Sequence, residues 1–313
     1  MRRLHRPKVA LPTLTSGAGA RKAARHLDAR AADPAADLDF PASWNEPDVR
    51  GALYTMHGRV CAFCLSELTR SDRGDVEHFR PKSLYFWLAY AFTNYVLSCA
   101  KCNRIFKHEH FPLVSGTVRI TYEQRAGLAE EARLFLDPVD DPVETWLEVE
   151  AGDLLFRWRP ARSLTTGSLE HARVTETTTW FHWNDDPDLV KARTDAIDEA
   201  LFALENGDVA EARRRASRFL PHGGAVRSLF RSLGWNDLPT VDEEMSWLLE
   251  DLWQEWQWAR RIGGELCEKK LEELTWAFAV LWKAPPLGVR MDLGAWLADA
   301  GIKAEVEAKY RQI

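Results

Sequence analysis

The C-terminal part of the chain carries the clearest pattern of hydrophobic and polar positions. After Pro187, apolar residues recur three and four positions apart, which is the spacing of residues on one face of a helix. The pattern predicts helices over residues 189–204, 208–220, 241–282 and 293–311. Gly263 and Gly264 predict a break or kink in the third helix, because glycine destabilises a helix interior. We therefore expect this part of the chain to be largely helical.

Between residues 138 and 181 the pattern changes to short runs that are rich in β-branched and aromatic residues. The runs are TWLEVE, LLFRWR and RVTETTTWFHW, and Gly152, Pro160 and Gly167 lie between them. Runs of this kind, bounded by glycine and proline, are typical of strands. They predict a small sheet or a set of hairpins in this region.

The preceding region predicts a mixed unit. A helix is expected over residues 46–59, followed by a strand over 75–79 that Gly74 and Pro81 bound. A short aromatic helix over 83–92, a second strand over 95–97 and a helix over 100–108 complete the pattern. The order strand, loop, strand, helix is that of a ββα unit.

Residues 1–37 show no sustained apolar period and are rich in Ala, Arg, Gly and Pro, which predicts an extended arm. Residues 1–30 carry eight basic residues and a single acid, Asp28; the basic residues are Arg2, Arg3, Arg6, Lys8, Arg21, Lys22, Arg25 and Arg30. The arm could contact phosphate groups, or it could be a solvated tail. The whole chain, in contrast, has a net charge of −6.

Composition indicates a soluble globular protein. The chain has 313 residues, 46% of them hydrophobic and 28% charged. No apolar run approaches the roughly 18 residues that span a bilayer, and no secretory h-region is visible. Four of the five cysteines form CxxC pairs, which favours a reducing compartment and a metal site over disulfides. We therefore expect a cytoplasmic protein with no membrane association.

The two CxxC pairs predict a zinc site. Cys61 and Cys64 form the first pair, and Cys99 and Cys102 form the second. A CxxC turn presents two sulfurs to one ion, so two turns close a four-thiolate site with no open position. Such a zinc ion would be structural. Buried metal-free cysteines and a redox CxxC are the alternatives, and the presence of two matched pairs argues against both.

Residues suited to phosphodiester hydrolysis lie between the pairs and directly after the last cysteine. His78 can act as a general base, because the pKa of histidine is near working pH. Glu77 and Asn103 offer the carboxylate and amide oxygens that Mg²⁺ prefers. Asn94 is expected to hold the loop between the strands through side-chain bonds to the backbone, or to be a plain turn residue.

Basic residues surround these positions. Arg80, Lys82, Arg104 and Lys107 are candidate phosphate contacts, arginine by its planar fork and lysine as a point charge. A solvated charged surface would have a similar composition. In the third helical segment, six tryptophans (Trp247, Trp253, Trp256, Trp258, Trp276 and Trp282) are core residues or anchors for a partner protein.

Together, the CxxC pairs, the Glu-His pair, Asn94 and the sequence CxxCN resemble the HNH endonuclease family. His78 matches its first histidine, Asn94 its asparagine, and Asn103 its final His or Asn. The resemblance implies a ββα-metal fold with His78 as the general base. It also implies a zinc staple and a catalytic Mg²⁺ or Mn²⁺ held by Glu77 and Asn103. Glu77 departs from the pattern, in which aspartate is commoner.

Over about residues 40–195 the chain resembles more narrowly the HNH subunit family of Septu anti-phage systems (PtuB), including retron-associated relatives. The motifs CAFC, VEHFRPKS, YFWLAY, CAKCNRIFK and LDPVDDP carry this resemblance. It implies an ATPase partner of the PtuA kind, or a complex with a retron reverse transcriptase. The helical region after residue 195 contains no motif that matches this family.

These expectations combine into a mostly helical α+β protein with four consecutive regions. They are a basic arm (1–40), an HNH ββα-metal core (41–125), a small β-rich extension (126–186) and a partner-binding helical region (187–313). The expected activity is metal-dependent endonucleolytic cleavage of nucleic acid, DNA before RNA, in anti-phage defence. A tRNA-cleaving ribonuclease of a retron-type system and a non-catalytic zinc-binding adaptor are the alternatives.

Overall fold

The computed structural model describes residues 1–33, 36, 39–69, 72–152, 155–286, 289 and 291–313. The chain forms two compact units that interleave along the sequence. The first unit contains Met1–Leu4, Arg59–Tyr85 and Leu97–Pro239, and the second contains His5–Gly58, Phe86–Val96 and Thr240–Ile313. Each unit thus takes segments from several of the four consecutive regions that the sequence suggested.

The elements are those of a mostly helical α+β protein with small sheets, as predicted. The helices are α1 (Pro12–Thr15), α2 (Ala18–Ala32), α3 (Pro47–His57), α4 (Val143–Trp146), α5 (Leu169–Trp180), α6 (Pro187–Glu205), α7 (Val209–Arg215), α8 (Gly223–Ser232), α9 (Val241–Ile262), α10 (Glu265–Lys283), α11 (Leu293–Asp299) and α12 (Lys303–Tyr310). The strands are β1 (Asp75–His78), β2 (Tyr95–Ser98), β3 (Leu147–Gly152) and β4 (Leu155–Pro160). A π-helix (Lys101–Lys107) follows β2, and 3₁₀ turns lie at Ser43–Asn45, Phe86–Leu88, Phe92–Asn94 and Arg125–Glu130.

The chain contains two small two-stranded sheets within its described residues. β1 pairs with β2, and the π-helix comes next, so the strand, strand, helix order follows the prediction. β3 and β4 form an antiparallel hairpin in which Leu147 lies opposite Pro160. Against this hairpin pack α5, α6 and α8.

The run RVTETTTWFHW was wrongly predicted to be a strand, because most of it lies in helix α5. Ser168 caps the helix by accepting a hydrogen bond from the His171 amide. Val174 and Thr178 lie four residues apart and are buried, which is the helical period. The Thr177 and Thr178 hydroxyls donate to carbonyls four residues earlier, so their polar groups are satisfied within the helix.

The N-terminal residues were wrongly expected to be extended, because α1 and α2 occupy much of this segment. Its basic side chains divide between two roles. The Arg6 guanidinium donates to the Tyr95 carbonyl at 3.0 Å, while Arg21 and Arg25 are exposed on α2. Arg6 is therefore built into the fold, while Arg21 and Arg25 remain accessible to solvent.

Three further predictions of elements were wrong. Residues 83–92 form 3₁₀ turns and not a short helix. The helix expected over 208–220 ends at Arg215, and the unpredicted α8 follows it. The helix expected over 293–311 is divided into α11 and α12 near Gly301, whose φ of +74° lies in the left-handed region. The predicted break at Gly263 and Gly264 is confirmed, since α9 ends and α10 begins there.

The second unit is a helical assembly in which α3 packs against α10 and α10 packs against α9 and α12. Tryptophans fill its interior. Trp256 and Trp276 are buried, and the Trp253 and Trp256 rings stack with centroids 5.1 Å apart. These residues therefore act in core packing. None of the helices within the described ranges combines the length and apolar character that a membrane crossing requires.

A glycine permits the close approach of α3 to α10. A Cβ atom at Gly51 would lie 2.5 Å from the Glu273 carbonyl oxygen and 2.8 Å from the Ala277 nitrogen, both backbone atoms. We expect Gly51→Ala to destabilise the protein by about 1–3 kcal/mol or more, because the two helices must separate. Chemical denaturation measures this loss. Gly127→Ala is the control, since no atom lies within 4 Å of its added Cβ.

Candidate metal centre and strand–helix junction

The four cysteines of the CxxC pairs come together in the first unit, as predicted. Their sulfur atoms all lie within 4.8 Å of one another, and none forms a disulfide. The Cys64 and Cys99 sulfurs are 3.8 Å apart. Four thiolates bound to one zinc at about 2.3 Å would be separated by about 3.8 Å along each tetrahedral edge. Cys61, Cys64, Cys99 and Cys102 are therefore close enough to bind one metal ion, and their all-sulfur donor set suits structural zinc.

Backbone amides point at these sulfurs. The Cys99 amide lies 3.3 Å from the Cys61 sulfur, the Cys102 amide 3.4 Å from the Cys99 sulfur and the Ser66 amide 3.5 Å from the Cys64 sulfur. Burial raises the pKa of Cys61, but hydrogen bonds from the other three thiols outweigh burial and bring it well below its usual value. The pKa of Cys102 is raised instead, by hydrogen bonds to the other three thiols and by burial, and the pKa of Cys64 is raised as well. Without a metal, the cluster therefore favours a thiolate at Cys61 and thiols at Cys64 and Cys102.

Packing fixes the first CxxC turn. Phe63, inside the turn, stacks on Phe181 with ring centroids 4.5 Å apart. The Ala62 amide donates to the Leu97 carbonyl at 2.9 Å, which ties the turn to β2. Leu65 directly follows the second cysteine with a φ of +67°, a left-handed conformation that costs a non-glycine residue about 1 kcal/mol or more. Its complete burial compensates for this strain.

Glu77 and His78 lie at the end of β1 and are both buried, with 5% and 6% of their surface exposed. The Glu77 carboxylate accepts a hydrogen bond from the Lys107 ammonium, which also donates to the His78 carbonyl at 3.0 Å. Burial raises the pKa of Glu77, and the charges of Lys107 and Lys82 oppose that rise. Lys107 therefore joins both residues to the π-helix.

A second set of contacts joins the same strand and helix. The Asn103 side-chain amide donates to an Asp75 carboxylate oxygen at 2.9 Å, and Arg104 forms a bidentate pair with that carboxylate at 2.7 and 2.6 Å. Asp75 and Glu77 are two residues apart on the strand, and Asn103 and Lys107 are four apart on the helix. Residues two apart on a strand share a face, so Asp75 and Glu77 can both face the π-helix that bears Asn103 and Lys107.

Arg80 and Lys107, two of the predicted phosphate contacts, are each paired with a buried carboxylate in the structure. Arg80 pairs with the buried Glu131 carboxylate at 2.7 Å, and its guanidinium lies over the Phe111 ring. Tyr85 also donates to Glu131, at 2.8 Å. This network fixes the chain two residues after His78. Lys107 is completely buried against Glu77, so its ammonium is likewise occupied within the protein.

The remaining predicted site residues are Lys82 and Asn94. Lys82 is half-buried, and its charge acts on the pKa of both Glu77 and Lys107. Asn94 belongs to the second compact unit, where its side-chain amide donates to the Leu88 carbonyl at 3.3 Å. That bond is of the loop-holding kind expected for it, while its effect on His78 stays a prediction.

Sequence reasoning did not identify Asp75 and Glu131. Asp75 could have been found, because residues two apart on a strand share a face and Asp75 precedes Glu77 by two. Glu131 lies 51 residues after Arg80 and in no motif. No local signal identifies such a partner.

Removal of Lys107 is expected to destabilise the protein strongly. Lys107→Met leaves the Glu77 carboxylate buried without this partner, which should cost about 3–5 kcal/mol. The double variant Glu77→Leu/Lys107→Met should recover most of that loss, because both charges are then absent. Urea denaturation of the two variants checks this. Equal stability of Lys107→Met and wild type would contradict the structural role of the ion pair.

The chain is similar to a Septu protein PtuB from Bacillus mycoides (strain KBAB4), with 27% identity over 157 residues. The similarity covers 45% of this chain and 53% of that protein, so the chain spans about half the length of the curated relative it matches. No protein-family model matches the chain. No solved structure matches it either. The comparison supports a relationship of the PtuB kind, in agreement with the motifs that suggested it.

Proposed function

We propose that this chain is a metal-dependent endonuclease of the HNH type that hydrolyses phosphodiester bonds, with DNA as the expected substrate. The observation that carries the proposal is the junction at the end of β1. Glu77 and His78 are consecutive there, and Lys107 ties the Glu77 carboxylate and the His78 carbonyl to the helix that also bears Asn103. The four cysteines hold both ends of this frame, since one pair precedes β1 and the other begins the helix.

Glu77 and Asn103 are the proposed ligands of a hard divalent cation. Glu77 and Asn103 provide carboxylate and amide oxygens, and Mg²⁺ is commonly bound by one or two protein oxygens together with substrate phosphates and waters. When bound, Mg²⁺ or Mn²⁺ would supply charge neutralisation on the phosphate and the leaving oxygen. Zinc at the four sulfurs would be structural, because no ligand position remains open.

His78 is the proposed general base. In the proposed reaction its imidazole removes a proton from water, the water oxygen bonds to phosphorus, and the bond from phosphorus to the 3′ oxygen breaks. The departing 3′ oxygen takes up a proton from solvent. The products are a 5′-phosphate and a 3′-hydroxyl. Base catalysis by a positioned histidine typically contributes about 10²–10⁴-fold to the rate.

Phosphate contacts are proposed for Lys82 and Arg104. Arg104 pairs with Asp75, yet 68% of its side chain is exposed, so the guanidinium can also meet a phosphate from the solvent side. Arg80 and Lys107 act instead in holding the frame, because their charged groups are buried against Glu131 and Glu77.

The proposed biological setting is Septu-type anti-phage defence. The similarity to PtuB supports it. An ATPase subunit of the PtuA kind is the proposed partner, and a retron reverse transcriptase complex is the variant setting. Four free cysteines that gather for metal binding favour a reducing compartment.

Two other functions predict different behaviour. A non-catalytic zinc-binding adaptor would bind nucleic acid or protein without cutting, and it would give Glu77, His78 and Asn103 no chemical task. A ribonuclease, such as one that cuts tRNA, would use the same site, because the attacking water is activated in the same way on either backbone.

The test is a substrate panel. The chain, alone and after co-expression with the genes that flank its own, is incubated with supercoiled plasmid, single-stranded DNA and tRNA, in Mg²⁺, Mn²⁺ or EDTA. We expect plasmid cleavage in Mg²⁺ or Mn²⁺ and none in EDTA. Cleavage of tRNA alone would replace DNA by RNA as the substrate. Binding without any cleavage would favour the adaptor.

A further inference from the structure

We infer that Asp75 is a positioning residue that sets the orientation of the Asn103 amide, so that its oxygen is the atom presented to a divalent cation. The inference deepens the proposed function and rests on it for the role of Asn103. The Asp75 carboxylate accepts from the Asn103 side-chain nitrogen at 2.9 Å.

The hydrogen-bonding properties of the two groups determine the orientation. An ionised carboxylate can only accept hydrogen bonds, while a side-chain amide has one donating and one accepting end. The end of Asn103 that faces Asp75 must therefore be the NH₂ group. The amide oxygen is left, and within the described residues no hydrogen bond reaches it. A hard cation binds this oxygen and not the nitrogen.

Arg104 completes the arrangement. Its guanidinium holds both oxygens of the Asp75 carboxylate at 2.6 and 2.7 Å, which fixes the plane of the acceptor. The same contact neutralises the negative charge of Asp75. Asp75 can therefore orient Asn103 without binding the divalent cation itself. Groups that orient a metal ligand typically change metal affinity by about 10–100-fold when they are removed.

The experiment is a double-mutant cycle read by Mn²⁺ binding. Zinc-loaded full-length wild type, Asp75→Ala, Asn103→Ala and the double variant are titrated with Mn²⁺ and followed by electron paramagnetic resonance. We expect Asp75→Ala to weaken Mn²⁺ binding about tenfold, and to have no further effect when Asn103 is already alanine. Such non-additivity is the signature of a residue that acts through another.

Two further variants separate positioning from a general loss of structure. Asp75→Asn keeps an oxygen that can accept from Asn103, so it should retain more of the affinity than alanine. Asp195→Ala removes a carboxylate from an exposed ion pair with Lys191 and should leave Mn²⁺ binding unchanged. Thermal unfolding followed by circular dichroism confirms that each variant is folded.

The outcomes distinguish this inference from the proposed function. A loss through Asp75→Ala that is equally large in the Asn103→Ala background would overturn the positioning role, and so would unchanged Mn²⁺ binding in Asp75→Ala. Wild type that binds no Mn²⁺ would overturn it as well. If the cycle behaves as expected but no substrate is cleaved, the inference stands and the nuclease assignment fails.

Discussion

Cys99→Ser is expected to release the bound metal and to abolish most of the stability of the first unit. Binding of structural zinc by four cysteines contributes an apparent free energy of about 10 kcal/mol or more at neutral pH, which exceeds the net stability of many domains. Cys99 also accepts a hydrogen bond from the Cys102 amide, so its loss disturbs the start of the π-helix. Zinc content by mass spectrometry and soluble yield measure the effect.

Cys267→Ser is the matched control for this substitution. Cys267 is buried in α10 and lies outside the four-cysteine cluster, so the same atom is exchanged without touching the metal centre. It should keep one zinc per chain. A Cys99→Ser protein with wild-type zinc content and stability would show that the four sulfurs are not a structural metal site.

His78→Ala is expected to reduce phosphodiester cleavage by about 10³-fold while leaving the fold intact. The imidazole is the proposed base, and removal of such a group typically costs about 10²–10⁴-fold in rate. The Lys107 ammonium contacts this position through the His78 carbonyl, which alanine retains. Single-turnover cleavage of the substrate found in the panel measures the rate, and circular dichroism checks the fold.

His171→Ala, in α5, is the control for His78→Ala and should cleave at the wild-type rate, because it lies outside the junction. Cleavage by His78→Ala at the wild-type rate would show that the His78 imidazole is not the general base. A large loss together with unfolding would instead indicate a structural histidine, and urea denaturation separates the two.

Patterns within one element were predictable from the sequence. The helical period of α6, α9 and α10 is long and regular, and the two CxxC pairs identify the metal cluster without any knowledge of the fold. The run RVTETTTWFHW failed because its β-branched residues favour strands in isolation, while a Ser168 cap and a buried face select a helix. Packing against the rest of the protein therefore determines that this run is helical.

Partners far apart in sequence were not predictable. Arg80 and Lys107 were assigned to phosphate because arginine and lysine near a hydrolytic motif suit it. In the structure Arg80 pairs with Glu131 and Lys107 pairs with Glu77. A buried charge needs a partner of opposite charge, because an unpaired charge is costly to remove from water. The sequence shows which side chains could bind phosphate, but only the fold shows which of them are already occupied.

The central claim is that the protein binds two kinds of cation in one frame, a structural ion at sulfur and a catalytic ion at oxygen. The most direct measurement is zinc content and cleavage rate after dialysis against EDTA, before and after Mg²⁺ is restored. The account predicts one retained zinc per chain, no cleavage after dialysis, and full recovery with Mg²⁺ alone. Cleavage that persists in the dialysed, zinc-loaded protein, or that returns only when zinc is added, would contradict it.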